Sequence, residues 1–74
     1  MTGNRGLMIA MPLLDHRALA GLSLRKLAER CGIHHTTLWR LEHGRAGASP
    51  ETVRKLGAVL GEAFVERAMR GYRP

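Results

Sequence analysis

Seventy-four residues, a formal net charge of +6 and one cysteine narrow what this chain can be. A domain this short buries only about 60% of its unfolded surface, which leaves no depth for a catalytic cleft, and the lone Cys31 excludes an internal disulfide framework and fits a reducing cytoplasm. The longest apolar run, Leu7 to Leu14 with Pro12 inside it, falls far short of the roughly 18 residues of a membrane span and lacks the basic start and cleavage site of a signal peptide.

The first residues, MTGNRG, have no periodicity and two glycines, so residues 1–12 read as a flexible N-terminal arm, with Arg5 its candidate for entering a minor groove. From Pro12, a favoured first-turn residue, LLDHRALA has helical composition and stops at Gly21. Ser23 is an N-cap for a second helix, LRKLAERC, with Leu24, Leu27, Ala28 and Cys31 at helical spacing and Gly32 as its left-handed stop. A third helix is expected from near His34 to His43, turning Leu38 and Leu41 inward, with Ile33 plugging the turn before it and Gly44 ending it. RAGAS reads as a loop. The fourth helix starts with Ser49 as N-cap, Pro50 at the first position and Glu51 in the first turn, and faces Val53, Leu56, Val59 and Leu60 to the core. Gly57 inside it predicts close approach of another helix. Gly61 separates it from a last helix, EAFVERAMR, so residues 62–74 read as a C-terminal helix and tail.

Charge is concentrated in the middle. Between Arg17 and Lys55 stand eight basic residues against three acidic ones, which favours a polyanionic partner. The same segment carries the spacing of a helix-turn-helix: a small residue where two short helices cross (Ala28), a glycine at the corner (Gly32) and three apolar side chains in the wedge (Ile33, Leu38, Leu41). Such a corner holds the second helix of the pair proud of the surface, where its outer side can enter a major groove.

Residues 21–61, GLSLRKLAERCGIHHTTLWRLEHGRAGASPETVRKLGAVLG, resemble the Cro/Xre family of bacterial and phage DNA-binding regulators. The resemblance implies an all-α, compact lambda-repressor-like domain of four to five helices, with the DNA-binding part at residues 13–61 and the third helix as reader. Carried onto matching positions, it implies that His35, Thr36 and Arg40 read base edges, Arg40 by paired donors to guanine and Thr36 by its hydroxyl and methyl. Arg25 and Lys26, at the start of the second helix, and Arg45, after the third, are expected on phosphates. Thr37, Trp39 and His43 are expected along the backbone, Trp39 against the groove wall. Arg17, Arg30, Arg54 and Lys55 are less clearly assigned. The chain departs from the family at Leu24, where glutamine is common, at His34, where serine or threonine is common, and at His16, where an apolar residue is usual.

Adjacent histidines do not point the same way, and no cysteine or carboxylate cluster completes a tetrahedral set around His34 and His35, so no metal and no cofactor are expected. Glu42 beside His43 reads as a helix-bracing contact rather than a catalytic pair, and no nucleophile, base and orienting acid form a constellation, so no enzyme is expected. One recognition helix reads too few base pairs to specify a site alone. The expected form is therefore a homodimer on an inverted-repeat operator in double-stranded DNA, joined through Val65 and Met69. The expected function is a sequence-specific transcriptional regulator, a repressor of phage or mobile-element type, in the bacterial cytoplasm or nucleoid. The alternative is an interaction protein, antirepressor or antitoxin-like, that uses Trp39 and the basic face on a protein partner; a DNA-bending accessory factor is a third reading.

Overall fold

The computed structural model describes residues 6–70, and among them the chain forms five helices: α1 (Ala10–Ala20), α2 (Leu24–Cys31), α3 (His35–Glu42), α4 (Pro50–Leu60) and α5 (Glu62–Met69). The architecture is all-α, as the sequence predicts. Local chemistry sets most of the boundaries. The Ser23 hydroxyl accepts from the Lys26 amide at 3.0 Å and the Ser49 hydroxyl from the Thr52 amide at 3.1 Å, each satisfying an amide that the first helical turn leaves free. At the far ends, Gly21 and Gly32 adopt φ of 69° and 70°, a left-handed geometry that glycine enters without steric cost.

The N-terminal boundary differs from expectation. Residues 1–5 lie outside the described residues, as does the expected role of Arg5, but residues 6–12 are not an arm. The Leu7 amide donates to the Ala48 carbonyl at 2.7 Å and the Ala48 amide returns the bond at 2.8 Å, pinning the segment to the α3–α4 loop. Gly6 and Gly47 make this approach possible, since a Cβ on either would lie within 2.7 Å of the other's backbone. Ile9 is fully buried, and α1 begins at Ala10, two residues ahead of Pro12. Pro12 still falls in the first turn, where an amide has no helical partner to lose.

Ile9, Leu13, Leu27, Leu38, Leu41, Val53, Leu56 and Phe64 form the core, with Ala28 and Cys31 at the α2 corner. The expected division at residue 61 is absent from the packing, because Phe64 and Ala68 of α5 are as buried as the residues of α2 and α3. The α4–α5 contact has a specific cause. A Cβ at Gly57 would sit 2.2 Å from Cγ2 of Val65, so only glycine admits the crossing. Val65, expected at a dimer surface, is thus half-buried and engaged within its own chain, and Met69 is likewise half-buried against the core. His16 sits edge-on to Phe64, ring centroids 5.8 Å apart, replacing with an aromatic contact the apolar residue usual there.

Candidate nucleic-acid interface

Two helices of eight residues each, α2 and α3, meet at the Gly32 corner. The chain turns there because the Ile33 amide bonds back to the Ala28 carbonyl at 3.0 Å and Gly32 to Glu29 at 3.3 Å. His34 then caps α3: its Nδ1 accepts from the Thr36 amide at 3.2 Å, the part a serine or threonine hydroxyl usually plays. An accepting Nδ1 places the ring hydrogen on Nε2.

With Leu38, Leu41 and Glu42 buried, α3 leaves Thr36, Thr37, Trp39 and Arg40 exposed, and His43 and Arg45 follow on the same exposed stretch of chain. Arg25 and Lys26 are exposed in the first turn of α2, with Lys26 Nζ 3.9 Å from the Glu29 carboxylate. His35 differs from its expected place on the open arc. Its ring stacks on His34, centroids 4.7 Å apart, and it is half-buried in a shallow cleft of about 260 Å³ shared with Arg25, Glu29 and Ile33.

Two residues to which sequence spacing gives no site role hold this surface in place. Glu42 is only 5% exposed, and its two carboxylate oxygens take one edge of the Arg17 guanidinium: Nε bonds Oε2, and Nη2 bonds Oε1 at 3.1 Å. Arg17 Nη1 also donates to the Leu22 carbonyl at 3.0 Å. One guanidinium therefore ties α1 to the end of α3 and to the entry of α2. Arg17 is accordingly a structural cation rather than a solvated one, and Glu42 braces α3 against α1 rather than against His43. The pair removes one charge of each sign, so the net +5 that eight basic and three acidic residues give this segment is unchanged on its surface.

The end of α3 is equally ordered. Gly44, at φ 68°, reverses the chain, so that the Arg45 amide bonds the Arg40 carbonyl at 2.8 Å and the Gly44 amide bonds Leu41 at 3.3 Å. Arg45 is thereby folded back over Trp39, its guanidinium carbon 5.6 Å from the indole centroid. The His43 ring stacks on the same indole at 4.1 Å and 21°, and its Nδ1–H donates to the Trp39 carbonyl at 2.9 Å. The i,i+4 spacing of Trp39 and His43 is the sequence signal from which this stack was readable. Cys31 lies under the corner, and burial pushes its thiol above the ordinary value, as befits a small core residue. Among the described residues no three His, Cys, Asp or Glu side chains are grouped to hold a metal ion, and no helix is long and apolar enough to cross a membrane.

A corner of two short helices, the second presenting a polar face that carries Arg40, on a core of five helices defines the class of helix-turn-helix domains. Comparison with protein families places residues 13–69 in the helix-turn-helix domain family, and the chain belongs to it. None of the curated proteins compared with the chain matches it.

Proposed function

We propose that this protein is a sequence-specific transcriptional regulator of Cro/Xre type that inserts α3 into the major groove of double-stranded DNA. The observation that carries the reading is the division of α3: Leu38, Leu41 and the paired Glu42 face inward while Thr36, Thr37, Trp39 and Arg40 face out. Arg40 and Thr36 read base edges, with His35 reaching from the rim of its cleft. Arg25, Lys26, Thr37, His43 and Arg45 hold the phosphate backbone on either side, with Trp39 beside them. The protein acts in the cytoplasm as a homodimer on an inverted repeat. It represses as phage and mobile-element regulators do, by occluding polymerase, and carries out no enzymatic step.

The test is a binding selection from a randomised duplex library at about 150 mM salt, repeated with Arg40→Ala. The expected result is an inverted repeat with half-site centres about one helical turn apart, lost in a variant that keeps its helical content. Recovery of no motif by the folded wild type refutes the reading. A second reading, that the domain engages a protein, is favoured by α1, where Met11 is 64%, Leu14 37% and Leu19 82% exposed. It predicts a stoichiometric protein complex that survives Arg40→Ala and is lost in Leu19→Glu.

A further inference from the structure

Three contacts converge on Trp39, and all three come from residues that follow it. The reversal at Gly44 brings Arg45 over the indole, His43 stacks on it, and the His43 Nδ1–H closes onto the Trp39 carbonyl. A carbonyl oxygen only accepts, so Nδ1 carries the hydrogen of this bond. Trp39 itself is 41% exposed, because its neighbours already cover much of the ring.

We propose that Trp39 is a positioning residue for phosphate binding, acting by holding the Arg45 guanidinium at the end of α3 rather than by a contact of its own along the groove wall. The inference rests on the DNA-binding reading and names how one of its parts works. An arginine just past a helix end ordinarily samples many rotamers, and binding must then order it. Here the backbone bond to Arg40 fixes where the Arg45 side chain starts, and the indole limits where its guanidinium lies. The cation is set before DNA arrives. His43, locked by Nδ1, supports the indole and keeps it from swinging into solvent.

The distinguishing measurement is the salt dependence of binding to a duplex of the selected sequence. Each phosphate neutralised by a cation contributes about 0.9 to the slope of log K against log salt. Tryptophan has no charge, so removing a direct Trp39–sugar contact lowers affinity and leaves the slope alone. Without the indole the freed guanidinium spends part of its time off the phosphate in the complex, so removing a positioner of Arg45 lowers both.

Trp39→Ala is expected to weaken binding about 2- to 10-fold, the range for ordering one long side chain, and to reduce the slope toward that of Arg45→Ala. The double variant is expected to bind no more weakly than Arg45→Ala, since the two residues act as one unit. Trp39→Phe, which keeps an aromatic face, is expected to restore most of the slope, and circular dichroism checks that each variant is folded. A wild-type protein without salt-dependent binding overturns the DNA reading itself. Wild-type binding with an unchanged slope in Trp39→Ala, or a double variant weakened by the product of the two single losses, overturns the role of Trp39 alone.

Discussion

Removing Arg17 should cost this domain more than removing any other surface-reaching cation. The Glu42 side chain is 3% exposed and that of Arg17 is 23% exposed, so the two partners are not equivalent. Arg17→Ala leaves a carboxylate in the interior without a counter-charge and deprives the Leu22 carbonyl of its donor. Breaking a buried pair from one side costs about 3–5 kcal/mol. Glu42→Ala leaves a guanidinium that already reaches water and keeps its bond to Leu22, so its cost should fall below that range. A domain of 74 residues has a total stability of only about 4–11 kcal/mol, and Arg17→Ala is therefore expected to lose a large share of it. Replacing both partners, Arg17→Met with Glu42→Leu, should recover most of the loss, because a buried ion pair contributes little beyond an apolar pair of similar volume. Urea unfolding followed by circular dichroism gives all four values. A cost below about 1 kcal/mol for Arg17→Ala, the range of an exposed pair, or equal costs for the two single variants, would refute the reasoning.

At Gly57, alanine gains up to about 1 kcal/mol in helix propensity yet meets Val65, whose χ1 is stiff in a helix. Gly57→Ala should therefore be net destabilising in the wild type and stabilising in a Val65→Ala background, a change of sign that thermal unfolding resolves. His34→Ala should cost about 1 kcal/mol by leaving the Thr36 amide uncapped, whereas His34→Ser should match or exceed the wild type. Cys31 should resist iodoacetamide in the folded protein and react on unfolding. The folded state holds the Cys31 proton more tightly than the unfolded state, so the thiol's contribution to stability is present at neutral pH and is lost as pH rises above the ordinary thiol value. A Cys31→Ala variant measured across the same range shows whether the loss belongs to this thiol.

The features decided within three or four residues were legible in the sequence. Ser23, Ser49 and Pro50 start helices, and Gly21 and Gly32 end them, because caps and left-handed stops are satisfied by the adjacent turn. Helical periodicity likewise placed Leu27, Ala28, Cys31, Leu38 and Leu41 inside and Thr36, Trp39 and Arg40 outside. Tertiary structure alone decided the rest. Nothing local distinguishes Arg17, bound to a carboxylate 25 positions away, from the solvated arginines around it. Leu7 pairs with Ala48, and Ile9 fills the core from within a short apolar run whose pattern does not say where it packs. His35 reads as exposed by its helical phase, yet the α2–α3 cleft and the His34 ring half cover it. Val65 has the phase of an outer residue and is drawn in by Gly57, the one position where α4 lacks a side chain to keep it out. Periodicity reports which way a side chain leaves its own helix. What it meets there depends on how distant segments are packed, which a one-dimensional pattern does not encode.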